Sequence, residues 1–490
     1  MNVLNCILQT GGRNIIVLGG GVSKHMKEQK ALYNRGARIF HVLMNVFLVL
    51  ACVVLPFQTR WIIVPAFLHG GYWEYGTISL YASEGIVWCA FVAWLFADGL
   101  KKWNKQSPWL QEMMHFLIRR WWVRGGVMVW IVLQLLWAPR TVAEISWLIH
   151  AMSVFVFYVL LTKSQIQLKV IILAIAIGLS FAGSMGIEQF GSQHIEANTV
   201  LGISAQKPED GGVSVIETPI RRWLRAYGTY PHPNILGGMM VLGLFCWLLF
   251  FILADDLVDP IDYWGRLIGI VGVIATSSGL WLSFSRSAWL GWLTGGICVW
   301  VVVVIKKRHW FIPVLKWTAI SVVVLVVVSY AFDEPFRART SFLAREPVYG
   351  YRLENQSNVI RMAQWKEAYE IGIIRTFGAG TGVGNYTAWV GIIYPSLPVY
   401  NLQPFHVTLL LMLAELGLIG FIGIGVLVVQ WIRRYGTHAW AVSILIGFAV
   451  MSVFDHYWWT LFPGMVGVAL FAWLMTQKIS TQVQLRIFGK

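Results

Sequence analysis

The sequence predicts an all-α polytopic membrane protein with about 12 transmembrane helices. Three features carry that expectation: composition, apolar runs of membrane length, and the placement of the basic residues. Of 490 residues, 57% are hydrophobic and only 12% are charged, about half the charged share of an average soluble domain. Such a chain cannot clothe soluble cores in a charged skin, which excludes a disordered protein, a small disulfide scaffold and an ordinary soluble enzyme.

A helix needs about 20 mostly apolar residues to cross the hydrocarbon core. Runs that meet this standard lie at 39–57, 78–98, 122–138, 142–162, 168–189, 233–254, 265–285, 287–305, 311–332, 405–432, 438–454 and 458–476. The runs 122–138 and 142–162 form a hairpin around Pro139, and 265–285 meets 287–305 at the polar Ser283–Ser287. Forty-seven glycines suit close helix packing in lipid, and 27 tryptophans suit interfacial belts, with Trp458 and Trp459 at a span start.

Lys and Arg accumulate on cytoplasmic connections. With the N-terminus inside, 23 of the 38 basic residues fall on the cytoplasmic side, 14 fall outside, and Lys316 sits within a span. Both ends of the chain are then cytoplasmic. The predicted organisation is a flexible cytoplasmic lead-in over 1–38, one transmembrane domain over 39–476, and a cytoplasmic tail over 477–490. Two long external segments, 190–232 and 333–404, interrupt the domain. Connections as long as the second are functional or disordered, and residues 358–374 argue for order. There Ile360, Met362, Trp365, Tyr369 and Ile373 line one face of an amphipathic helix lying on the membrane surface.

Other features carry little. The five cysteines have no metal-ligand or redox spacing, so neither zinc nor a disulfide is expected. Met1–Leu8 lacks the basic start of a signal peptide. The run Ile15–Gly21 resembles a nucleotide turn, but Lys24 occupies its third glycine position. The acidic run Asp255, Asp256, Asp259 and Asp262 reads as a solvated cytoplasmic loop.

The external basic residues are concentrated in a few constellations. Arg221, Arg222 and Arg225 precede Tyr227, then a Gly228–Pro233 turn, then Asn234 at the start of a span. Arginine there serves either as an interfacial anchor or as a ligand, and anchoring alone does not require an ordered turn beside it. Arg286 stands between two long apolar runs, where arginine is costly unless it faces protein or a polar cavity. His406 opens a span from the outer side, and Glu415 lies nine residues deeper and needs a partner. The Gly378–Asn385 stretch matches neither GxGxxG nor a P-loop and reads as a tight loop. Asp455-His456-Tyr457 forms an external turn before the last span. No paired external aspartates of DxD type occur, so no metal is expected. The predicted orientation puts Arg225, Arg286 and His406 at one membrane face, where a cationic pocket suits a di-anionic group at the lipid surface, and the arginine fork binds phosphate bidentately.

These motifs resemble, in order, those of the O-antigen ligase / O-antigen polymerase superfamily of bacterial inner-membrane glycosyltransferases, over roughly 150–470. The resemblance rests on Arg225 with Gly228-Thr229-Tyr230 and Pro233-Asn234, and on Ser285-Arg286-Ser287-Ala288. It also rests on Arg361, Trp365 and Gly378-Ala379-Gly380-Thr381-Gly382, on His406 with Glu415-Leu416-Gly417-Leu418-Ile419-Gly420, and on the Asp455 turn. Val407 departs from the family pattern, which has Asn after the histidine.

The resemblance implies a GT-C-like fold and a metal-independent, inverting transfer without cofactor. The donor is a glycan on undecaprenyl pyrophosphate, and the acceptor is lipid A-core or a glycan. The surroundings are membrane lipids, with no role for nucleic acid. Arg225 and Arg286 would neutralise the departing pyrophosphate, and His406 would act as base or orient the acceptor. Arg221, Arg222, Arg361, Tyr227, Asn234 and Glu415 would contact pyrophosphate or glycan. A ligase is slightly favoured over a polymerase, and a protein-directed glycan ligase is a third acceptor variant. A transporter or flippase of the same lipid-linked glycan is the reading from a different class. It predicts ionisable residues and broken helices near the midplane.

Overall fold

A computed structural model describes residues 19–103, 121–254, 260–340, 366, 370–376, 378–436 and 439–477. In chain order its helices are α1 Gly19–Val54, α2 Ala82–Trp103, α3 Trp121–Gln134, α4 Thr141–Lys163, α5 Leu168–Ser192, α6 Pro233–Leu253, α7 Pro260–Leu282 and α8 Arg286–Ile305. They continue as α9 Phe311–Ala331, α10 Asp333–Thr340, α11 Tyr386–Ile393, α12 Thr408–Tyr435, α13 Ala439–Ser452, α14 Tyr457–Thr460 and α15 Phe462–Thr476. Six short strands lie in the connections: β1 Arg60–Val64, β2 Phe67–Leu68, β3 Gly71–Tyr72, β4 Ile78–Tyr81, β5 Val215–Glu217 and β6 Arg222–Leu224. They pair antiparallel as β1–β4, β2–β3 and β5–β6, small additions to an otherwise helical chain.

Among the described residues, nine helices (α1, α2, α4 to α9 and α12) are long and apolar enough to cross a membrane. The shorter apolar helices α3, α13 and α15 occupy the other three predicted spans. The protein is therefore a multi-pass membrane protein of helical architecture. Several boundaries differ from the hydropathy-based ones. The first residues of the 78–98 run form β4, because Arg60, Trp61, Ile62 and Val64 supply an antiparallel partner. Pro404 and the extended Val407 delay the 405–432 run, so α12 starts at Thr408. The 458–476 run breaks at the extended Leu461, just before Pro463. The lead-in is helical from Gly19 onward. The amphipathic helix 358–374 lies largely outside the described residues, and its end, Glu370–Arg375, is a π-helical turn.

At the centre stands α6, buried at every position from Ile235 to Phe250. A helix apolar all round is what an encircled core position requires. Helices α5, α7, α8 and α9 pack around it. Small residues permit close contact: a Cβ on Gly183 of α5 would stand 2.5 Å from the Ala275 carbonyl of α7. Two buried indoles cross-link these helices, with Trp247 Nε1 donating to Ser180 Oγ at 2.9 Å and Trp317 Nε1 to the Leu244 carbonyl at 2.9 Å. The outer helices expose apolar rows, including Val323, Val326 and Val327 of α9 and Ile419 and Ile422 of α12. Such large apolar surfaces suit a lipid environment.

One end of the bundle gathers five connections. Gln58 N donates to Leu201 O at 2.9 Å, Ala226 N to Leu282 O at 3.0 Å, and Trp147 Nε1 to Trp459 O at 2.9 Å. His69 Nδ1 meets Leu397 O at 2.6 Å. The Lys/Arg distribution assigns these same connections to the external face.

Candidate active site

The chain reaches this end of the bundle through α5 and a hairpin. In β6, Arg222 pairs with Glu217 of β5, Trp223 with Ile216, and Leu224 with Val215. Trp223 stacks on Phe190 of α5 at 5.7 Å and donates through Nε1 to Glu334 Oε2 at 3.2 Å. Past the strand the backbone turns inward, and Gln189 clamps it. Gln189 Oε1 accepts from the N–H groups of Tyr227 (3.1 Å) and Gly228 (2.7 Å), and its Nε2 donates to Gly228 O at 2.6 Å. Gly228 has φ +59°, and a Cβ there would lie 2.6 Å from the Ala182 carbonyl. Only glycine meets both demands. Tyr227 Oη accepts from Ser214 N at 2.7 Å.

That turn delivers Arg225 into a buried position. Arg225 Nε donates to Ser283 O at 2.7 Å, in the turn between α7 and α8, and Nη2 donates to Asn234 Oδ1 at 2.7 Å. Asn234 Nδ2 in turn donates to Asp455 Oδ1 at 2.7 Å. The other Asp455 oxygen accepts from Ser287 Oγ, and the Asp455 backbone carbonyl accepts from Thr408 Oγ1. Arg286 opens α8, half-buried, one residue before Ser287. The α7–α8 turn that presents it contains Phe284 at φ +48°, a conformation costly for a non-glycine residue. Arg339 of α10 donates through Nε to Phe284 O at 3.0 Å.

Three histidines complete the cluster. His232 caps α6: its Nδ1 accepts from Asn234 N at 3.1 Å, so in the neutral ring Nε2 carries the proton and donates to Ser214 Oγ at 2.9 Å. Burial, and then the charges of Arg225, His406 and Arg339, push the His232 pKa down to about 3. His406 is half-buried just before α12, and its ring lies 5.5 Å from that of His456. His456 Nδ1 meets Thr460 Oγ1 at 2.9 Å, and burial beside His406 and His232 drives its pKa well below the ordinary histidine value. Arginines, His406 and the neutral imidazoles of His232 and His456 thus share one site with the buried carboxylate of Asp455. That arrangement can hold an anionic group and move a proton at its edge.

Glu415 lies elsewhere. Helix α12 is broken at Gly417 (φ +67°, ψ −177°), and the 378–385 loop fills the break. Thr381 N donates to Ala414 O, Gly382 N to Glu415 O, and Leu418 N to Gly378 O, at 2.9–3.1 Å. The Glu415 carboxylate accepts from Gly384 N (3.0 Å), Tyr386 N (3.4 Å) and Trp459 Nε1 (2.6 Å). A Cβ on Gly380 would lie 2.4 Å from Glu415 O. Gln134 Nε2 and Trp137 Nε1 tie the loop carbonyls at Ala379 and Gly380 to α3 and its C-terminal turn. Irregular backbone at membrane depth is tolerable only when protein satisfies it in this way. Between this loop and the β1–β4 hairpin is a polar cavity of about 30 Å³, lined by Arg60, Glu74, His150 and Glu415. It has room for roughly two waters.

Of the residues singled out from sequence, Arg225, Asn234, Arg286 and His406 belong to segments that meet at one end of the bundle, with Tyr227 beneath Arg225. Glu415 holds the glycine loop. Arg221 and Arg222 point to a separate pocket on the hairpin, while Arg361 and Trp365 lie outside the described residues. Sequence reasoning passed over Gln189, Arg339 and His232 as site residues, and it noted Asp455 and His456 only as a turn. The available signal was that Asp455 and His456 are polar residues between two apolar spans.

Residues 271–425 match the family model described as O-antigen ligase. The match, over about a third of the chain, supports the resemblance of this segment to the O-antigen ligase / O-antigen polymerase superfamily. No curated protein and no solved structure matches the chain. The matched segment contains Arg286, Arg339, His406 and the glycine loop. Arg225, Asn234 and Asp455 lie outside it; Arg225 donates to Ser283 O inside it, and Asp455 accepts from Ser287 and Thr408 inside it.

Proposed function

We propose that this protein, which carries the O-antigen ligase domain over residues 271–425, is a metal-independent, inverting membrane glycosyltransferase. Its donor is a glycan on undecaprenyl pyrophosphate and its acceptor is a hydroxyl of lipid A-core. It crosses the bacterial inner membrane 12 times, with α3, α13 and α15 as the shorter crossings, both ends cytoplasmic and the cluster on the periplasmic side. The observation that carries this reading is the Arg225–Asn234–Asp455 chain, in which a buried guanidinium is held by two 2.7 Å bonds beside Arg286, Arg339 and His406.

The acceptor oxygen attacks the anomeric carbon as the bond from that carbon to the pyrophosphate oxygen breaks. The bonding pair leaves with the pyrophosphate, and the acceptor proton passes to His406. Arg225 and Arg286 stabilise the charge that develops on the leaving group, and a preorganised contact of that kind is worth about 3–4 kcal/mol of barrier. Asp455 and Asn234 hold Arg225 in place rather than touching substrate. A polymerase would use the same donor and residues with a glycan acceptor.

The break in α12 at Gly417, beside the buried Glu415, favours a second reading: a transporter of the same lipid-linked glycan. One experiment separates the two. Purified protein in detergent, with no membrane compartment, is given undecaprenyl-pyrophosphate glycan and lipid A-core or glycan acceptors. Gel and mass analysis then show a joined product for an enzyme and none for a transporter.

A further inference from the structure

A second basic concavity lies outside the Arg225 cluster. The turn of the β5–β6 hairpin and the loop after α5 enclose an open pocket of about 390 Å³, lined by Arg221, Arg222, Lys207, His194, Gln193 and Glu209. That volume is within the range of small-molecule sites. Three cations face one lining carboxylate, Glu209. Two nearby acids are already engaged: Asp210 Oδ2 accepts from Lys207 N at 2.9 Å, and Glu196 Oε1 meets His194 Nε2 at 2.8 Å.

The two arginines are held in place. The Arg221 guanidinium lies 3.4 Å from the centre of the Trp223 ring, and Arg222 Nη1 reaches Glu209 O at 3.4 Å. Stacking and backbone contact preorganise both forks for a tetrahedral oxyanion. Pro208 is the one apolar side chain in the lining, so an acyl chain would find no wall, whereas a hydroxyl-rich ring would. Arg222 and Arg225 are three residues apart in nearly extended chain, about 10 Å. An anion held by Arg222 is therefore a neighbour of the reacting sugar and not its pyrophosphate.

We propose that this pocket binds a phosphorylated sugar of the glycan substrates, which divides the external arginines between two sites. The assignment rests on the glycosyltransferase reading for its substrate class, but binding tests it without transfer. Full-length protein in phosphatidylcholine nanodiscs is titrated with glucose 6-phosphate, glucose and inorganic phosphate, with saturation-transfer NMR as the readout. Glucose 6-phosphate is expected to bind saturably and at least about tenfold more tightly than glucose or phosphate alone. Arg221→Gln with Arg222→Gln is expected to abolish that preference, and Arg222→Lys, which keeps the charge but not the fork, to weaken it several-fold.

Equal binding of glucose and glucose 6-phosphate, or an unchanged Arg222→Lys variant, overturns the proposal. So does loss of sugar phosphate binding when phosphatidylglycerol is added to the discs, because the anion would then be a lipid headgroup. Arg225→Ala separates the two readings. It should retain glucose 6-phosphate binding while losing transfer. Normal transfer by that variant would remove the catalytic assignment and leave the pocket standing.

Discussion

Arg225 reaches Asp455 through one intermediary, since Asn234 accepts from the guanidinium at 2.7 Å and donates to the carboxylate at 2.7 Å. The pair joins α6 to the turn before α14, and Ser287 and Thr408 bind the same aspartate. Removing the intermediary leaves a charged donor and a charged acceptor without their shared bonds. Asn234→Ala is expected to cost about 1.5–3 kcal/mol of stability per charged bond lost. It should also lower glycan transfer without changing which product forms. Thermal unfolding in detergent and a transfer assay on the same preparation check both.

Arg225→Ala and His406→Ala should each leave the fold intact and reduce transfer by about 10²-fold or more. Wild-type rates from either variant, with normal membrane insertion, would mean that the cluster is not the transfer site.

Gly380→Ala should destabilise the protein by about 3 kcal/mol, because its φ is +86° and the new methyl would stand 2.4 Å from Glu415 O. The expected signature is a lower unfolding midpoint. Gly126→Ala, where a Cβ would meet nothing within 4 Å, is the control and should leave the midpoint nearly unchanged.

The half-buried His232 makes stability depend on pH. Its folded pKa is depressed to about 3 from 6.5, so below pH 6.5 the unfolded chain binds a proton that the folded chain refuses. The contribution is complete above pH 6.5 and is lost progressively as pH falls toward 3. His456 acts in the same direction. Unfolding midpoints measured from pH 8 to pH 4.5 should fall on acidification, and His232→Asn should flatten that fall.

The helical, multi-pass character of the fold was legible because span length and charge placement act locally along the chain. Arg286 and His406 stood out in the sequence because each is a polar residue beside a long apolar run, and Arg225 because a Gly/Pro turn follows it. Asn234 stood out in its motif, but its partner Asp455 is 221 residues away, and no periodicity encodes that pairing. The role of Glu415 was hidden because its donors come from a loop that enters a break in its own helix. Three arginines within five residues read as one cluster, yet the turn after β6 sends Arg225 into the core and leaves Arg221 and Arg222 in an open pocket. The β4 strand was absorbed into a hydrophobic run because apolar composition does not distinguish a strand's start from a helix's.

Because Asp455 lies thirty residues beyond the end of the matched domain while gripping Ser287 and Thr408 within it, that domain is not a transplantable cassette. A chimera joining residues 271–425 to a foreign scaffold would inherit His406 and Arg286 but not the aspartate that ties the neighbouring Ser287 and Thr408 together. A stop codon after α12 would remove Asp455 while sparing every residue the family model recognises, and is expected to abolish the proposed transfer.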